Sequence, residues 1–102
     1  MARRLQLHEK LCEILGTRNV YFQPPASVKL NYDCIIYSVS TRNDIRADDR
    51  QYRDLVRYEI IFIYRDPDSQ IPEKLMSAFP RIAHERHYTA DNLHHDVFKL
   101  YY

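Results

Sequence analysis

Residues 84–96, HERHYTADNLHHD, hold four of the chain's five histidines together with the carboxylates Glu85 and Asp91, and Asp96 closes the span. Imidazole and carboxylate ligate transition metals and move protons near neutral pH, so what matters is whether they converge. In an unbroken strand over Ile82–Tyr88, side chains 84, 86 and 88 share one face and His87 lies on the other. Alternation therefore predicts that His84 and His87 do not meet on one ion. His94 and His95 diverge in the same way if the closing strand includes them, although Asp91 or Asp96 could approach either across the turn. The spacing matches no zinc-ligand pattern. The expectation is exposed or tyrosine-packed histidines, with no metal site and no catalytic site.

Other chemistry has little footing. A single glycine excludes a glycine-rich phosphate loop, no G-x-S-x-G elbow occurs, and neither Cys12 nor Cys34 has an obvious activating partner. Both thiols are expected to be buried and reduced. The reading is a protein that is not an enzyme and uses no cofactor. Fifteen basic against 14 acidic side chains leave a formal charge of +1 and no global field for nucleic acid or membrane. Arg3, Arg4, Lys10 and Arg18 flank the first helical segment and could meet phosphates, with Tyr21 or Phe22 to stack on bases. Acidic neighbours are equally frequent there, so a solvated face is expected. The N-terminal MARRLQLHEK lacks an apolar stretch of signal-peptide length and nothing approaches a membrane span, which predicts a cytosolic product.

The elements that position these groups follow from periodicity. Leu7, Leu11, Ile14 and Leu15 form one helical stripe within Leu5–Leu15, and Gly16 stands where a C-cap needs a left-handed residue. Asn19–Gln23 reads as a short edge strand stopped by Pro24-Pro25. Tyr32–Ser40 alternates as a strand, with Cys34 and Ile36 on one face and Ile35, Tyr37 and Val39 on the other. Val56–Arg65 is apolar on both faces at its middle and should be central. Asp68 or Ser69 offers an N-cap to a second helix with the stripe Ile71, Leu75, Met76 and Phe79, bounded by Pro72 and Pro80. Strand Ile82–Tyr88, a turn over residues 89–92 and strand Val97–Tyr102 complete the order. At 102 residues this is one domain, residues 1–102. The expected class is α+β, a small mixed and mostly antiparallel sheet of five strands packed by two helices in the order α-β-β-β-α-β-β.

Two stretches suit subunit contacts. Thr41–Asp54 alternates Arg and Asp and is long for a hairpin arm, so Arg46, Asp48, Asp49, Arg50 and Tyr52 are candidate interface residues that could set register against a neighbour. The aromatic run ending in Tyr101 and Tyr102 is a second candidate, since tyrosine is enriched at interfaces.

The segments KLCEILGTRNVYFQPP, RYEIIFIYRDPDSQIPEKL and HYTADNLHHDVFKLYY together resemble small proteins from the head-to-tail joining region of long-tailed bacteriophages. Within that region the element order is similar to that of tail terminator, or tail completion, proteins. The resemblance implies a virion structural protein, assembled in the host bacterial cytoplasm, that forms a homo-oligomeric ring, commonly a hexamer. Such a ring caps the tail tube at its head-proximal end, contacts the tube protein and presents a surface to the head-tail connector. Genomic DNA would pass the lumen without sequence-specific binding, and no membrane is involved. A head-completion or connector adaptor ring beneath the portal is the alternative within the same neighbourhood.

Overall fold

The computed structural model describes residues 2–40 and 56–102. Helix α1 (Ala2–Leu15) begins three residues earlier than its apolar stripe suggests. Leu7, Leu11 and Cys12 are buried, Ile14 and Leu15 pack at their margin, and Gly16 ends the helix at φ +86°, its amide donating to the Cys12 carbonyl at 2.8 Å. Open space surrounds a Cβ at Gly16, so the dihedral rather than crowding favours glycine there.

Strands β1 (Val20–Phe22), β2 (Cys34–Val39), β3 (Arg57–Tyr64), β4 (Ile82–Ala90) and β5 (Leu93–Tyr101) form one sheet in the order β1-β2-β3-β5-β4. β1 is an edge strand and runs parallel to β2, while every other pairing is antiparallel, so the sheet is mixed as expected. Beyond β1 the chain turns through Gln23 at φ +44°, whose amide donates to the Tyr37 carbonyl and whose side chain accepts from the Val39 amide. β3, apolar at its middle on both sides, is the central strand of the five. The class is therefore α+β, with the predicted element order.

Helix α2 (Ile71–Ala78) differs from expectation at its start and on one side. Its cap residue is Gln70, which makes no side-chain capping bond; Ser69 stands one position too early and its hydroxyl accepts from the Ile71 amide at 3.3 Å. Asp68 stands two positions before the cap, inside an Asx-type turn in which its amide donates to Asp66 Oδ1 at 2.9 Å. Leu75 and Phe79 are buried, but Met76 is 43% exposed: a helix of eight residues turns only a narrow stripe inward.

Both helices pack on the same sheet face. Leu7, Leu11, Leu75 and Phe79 close over Ile35, Tyr37, Ile60, Phe62, Phe98 and Leu100, all buried. The opposite face carries Cys34, Ile36, Ile61, Ile63 and Val97, which lie outside that core, and no described helix packs over them. At the seam between α1 and β2, Arg4 donates to the Tyr37 hydroxyl (3.2 Å), which in turn reaches His8 Nδ1 (2.7 Å). Burial lowers the His8 pKa, helped by the nearby Arg18 charge, so neutral His8 accepts the Tyr37 proton and the buried hydroxyl is satisfied.

Candidate functional site

The closing hairpin is where the histidines converge, and a single inserted residue makes them do so. β4 and β5 are joined at Asp91 and Asn92, both at positive φ (53° and 63°), as a two-residue type I′ turn requires of both its central residues. From the turn, Ala90 faces Leu93, Thr89 faces His94 and His87 faces Asp96; beyond a β-bulge, His84 faces Phe98 and Ile82 faces Leu100. Glu85 and Arg86 share the place opposite Val97, so the alternation slips by one residue. The expectation that His84 and His87 lie on opposite faces is thus overturned: both point to the helix-bearing side and to the same carboxylate.

That carboxylate is Asp96, 5% exposed and the buried charged or polar residue among the described core. Its Oδ1 accepts from His84 Nε2 and His87 Nδ1, each at 2.9 Å, and its Oδ2 from the Tyr64 hydroxyl of β3 at 2.6 Å. Burial alone would raise the Asp96 pKa, but the bonds from Tyr64, His84 and His87 outweigh it and hold the carboxyl below its ordinary value. The Tyr64 phenol moves the other way: burial first, then its bond to Asp96, push it well above its ordinary range. Phe62 stacks on Tyr64 at 4.5 Å, His94 stacks on its ring at 5.3 Å, and His94 also lies 5.4 Å from the His87 ring. His94 Nδ1 is buried without a hydrogen-bond partner among the described residues. His95 diverges as expected, to the opposite face, where it stacks on Tyr88 at 4.6 Å and 9°.

Two imidazoles fixed by one carboxylate resemble half of a catalytic or metal centre, because an acid behind a histidine sets its tautomer and leaves the far nitrogen as acceptor. Here both near nitrogens aim at one oxygen, Asp96 Oδ1, which leaves His84 Nδ1 and His87 Nε2 on the far sides of their rings. Among the described residues, no group of three or more His, Cys, Asp or Glu side chains is placed to hold a metal ion. The thiols offer no nucleophile: burial raises the pKa of both, that of Cys34 to about 11, and neither bonds to the cluster. The arrangement fastens β3, β4 and β5 together through one buried carboxylate and gives that fastening a charge.

The N-terminal cations do not form a single phosphate-binding face. Arg18 is held bidentately by Glu9 (2.8 and 2.9 Å), Arg4 lies over the Phe22 ring at 4.4 Å, and Lys10 lies over Phe79 at 4.6 Å. Of the candidate interface residues, Arg46, Asp48, Asp49, Arg50 and Tyr52 lie outside the described residues. Tyr101 is the last residue of β5, opposite Arg57, and Tyr102 packs against the core with its ring edge-on to Phe79. No helix among the described residues is long and apolar enough to cross a membrane. Sequence reasoning missed Tyr64, and it offered Asp96 only to His94 or His95, whereas the carboxylate takes His84, His87 and the Tyr64 phenol. Comparison with models of protein families, with curated protein sequences and with solved structures finds no match to this chain.

Proposed function

We propose that this chain is a ring-forming structural subunit of a long-tailed bacteriophage particle, seated at the head-proximal end of the tail tube, where it ends tube growth and joins the tail to the head connector. The observation that carries an assembly role is the one-sided packing of the sheet. Two helices cover one face, while on the other no described helix lies over the row Ile36, Ile61, Ile63 and Val97, of which Ile63 and Val97 are buried and Ile36 and Ile61 stay partly exposed. Subunits that bury little of their own surface gain stability from neighbours. The station in the particle rests on the resemblance of the three quoted segments to head-to-tail joining proteins and on the matching element order.

In this reading the mechanism is geometric. One surface of each subunit meets the next around the ring, a heterologous contact that closes under cyclic symmetry. A second surface accepts the last tube layer and a third faces the connector. Arg46, Asp48, Asp49, Arg50 and Tyr52, with Tyr101 and Tyr102, are the proposed ring contacts, and DNA passes through the lumen without sequence-specific binding. Electron cryo-microscopy of the particle neck, with this chain fitted into the density, tests the proposal. A ring lying directly on the last tube layer is expected. A ring against the portal would make the chain a connector adaptor, and its absence from the particle would overturn the virion assignment.

A further inference from the structure

We infer that the cleft between the start of α1, the end of α2 and the end of β5 is a socket for an acidic segment of a protein partner, one that places a carboxylate beside an aromatic or aliphatic side chain. The cleft has a volume of about 240 Å³ and is lined by Arg3, Lys10, Phe79, Arg81, Tyr101 and Tyr102 together with Pro80. Three of those side chains are cationic and, among the described residues, none is acidic. Its walls are otherwise aromatic, so it offers apolar contact and positive charge together.

The walls are built rather than accidental. The Tyr101 amide donates to the Arg81 carbonyl at 3.1 Å, which ties the strand entering β4 to the end of β5. Tyr102 and Val56 exchange a pair of backbone bonds at 3.0 and 3.1 Å. Phe79 leaves α2 in extended conformation, is 3% exposed, and meets the Tyr102 ring edge-on at 6.0 Å. Lys10 holds its ammonium 4.6 Å from the Phe79 centroid, on the cleft side of α1. Lys10 and Arg81 have no carboxylate partner among the described residues, in contrast with Arg18, which is fully engaged by Glu9. The inference rests on these two charges; Arg3 contributes a wall.

Size and charge select the occupant. Sites for small-molecule ligands usually span about 300–1,000 Å³, and this cleft is smaller, suited to one side chain and an adjacent carboxylate. A single strand of nucleic acid needs a groove of cations tracking successive phosphates, whereas here two cations flank one short aromatic-walled cleft. A carboxylate between Lys10 and Arg81 forms charge-assisted hydrogen bonds, while its apolar neighbour packs against Tyr101 and Tyr102 above the buried Phe79. The inference does not depend on which particle or assembly the chain belongs to.

The test is a titration of the isotope-labelled full chain, followed by amide NMR, with the peptide acetyl-Gly-Glu-Phe-Asp-Gly-amide and with its neutral counterpart carrying Gln and Asn. Saturable shifts at Phe79, Arg81, Tyr101 and Tyr102 are expected with the acidic peptide. The neutral peptide, and the double variant Lys10→Gln/Arg81→Gln with the acidic one, should each bind at least about tenfold more weakly, the loss of one charge-assisted contact. The remainder of the variant's spectrum reports whether it is folded, and Glu13→Gln on the same helix should leave binding unchanged or stronger. Equal binding of both peptides, no saturable shift, or tighter binding of an oligothymidylate at the same residues would each overturn the inference.

Discussion

One face of one sheet is held together in two different ways. Around Ile60, Leu100 and Leu75, an aliphatic end flanked by the aromatic Tyr37 and Phe98, it is fully buried and covered by both helices. A few residues further along the same strands, at Tyr64, Asp96, His84 and His87, helix cover runs out and the face is closed by a buried carboxylate and its three donors. The aliphatic end draws its stability from area removed from water, which does not depend on pH. The polar end depends on an ionised group being worth more bonded than solvated, and that does. The difference shows how a thin sheet can extend past its helices: what apolar packing cannot cover, a satisfied charge can fasten.

The largest expected effect breaks the aliphatic end. Ile60→Ala removes a side chain with no exposed surface from the middle of the central strand and should cost about 2–5 kcal/mol. Denaturant unfolding at pH 7 and at pH 4.5 should give the same loss at both. A loss confined to one pH would mean that the two ends are coupled.

Asp96→Asn breaks the polar end with nearly the same shape. Neutral hydrogen bonds can replace the charged ones, so the cost at pH 7 should be about 1–2 kcal/mol, the difference between charge-assisted and neutral bonds. The signature is in the pH profile. Because the folded-state carboxyl is held below its unfolded value, its contribution is present above the unfolded pKa of about 4 and is lost as pH falls through the lower folded value. The wild-type chain should therefore lose more stability on acidification through that window than the Asn variant. Parallel profiles would remove Asp96 as the acid-sensitive fastener.

Tyr64→Phe is expected to cost about 1 kcal/mol, one hydrogen bond removed with the stacked ring retained. It also takes away one of the donors that lower the Asp96 pKa, so the acid limb should move to higher pH. In the unmodified chain, alkaline difference absorbance should show a phenol ionising later than the exposed tyrosines, because burial and the Asp96 bond oppose its ionisation. That late component should shrink by one phenol in the Phe variant, since burial also raises Tyr37 and Tyr58.

Much of the fold was legible in the residues themselves. The double-sided apolar run of Val56–Arg65 announced the central strand, and Gly16 marked the end of the first helix, because each is a local requirement. The exposure of Met76 and the shift of the second cap to Gln70 were not legible: the first depends on how short the helix is, the second on the turn that Asp66 and Ser69 close before it. The polar site was missed for a single reason, the assumption of unbroken alternation through HERH. A signal did exist. Counting outward from the turn at Asp91 and Asn92 pairs His87 with Asp96, whereas matching apolar Ile82 to Leu100 demands a different register. Those two requirements agree only if one residue between them is extra. The arm residues 46–52 lie outside the described residues and the sequence reading of them stands as a proposal.

The smallest expected effect follows from that extra residue and sharpens the comparison most. Deleting Glu85 from a regular strand would send every later side chain to the wrong face. Here the deletion should remove the bulge and restore simple alternation, leaving His84 and His87 two positions apart on the same side and both still on Asp96. What is lost are the Glu85 contacts with Lys99 and Arg86, solvent-accessible ion pairs with little effect on stability. Stability at pH 7 should change by less than about 1 kcal/mol, and the acid limb assigned to Asp96 should persist. Deleting Thr89, on the turn side of the bulge, should instead displace His87 from Asp96 and abolish that limb. If the two deletions behaved alike, register would not be what gathers the histidines, and the polar end would owe its geometry to the strands around it.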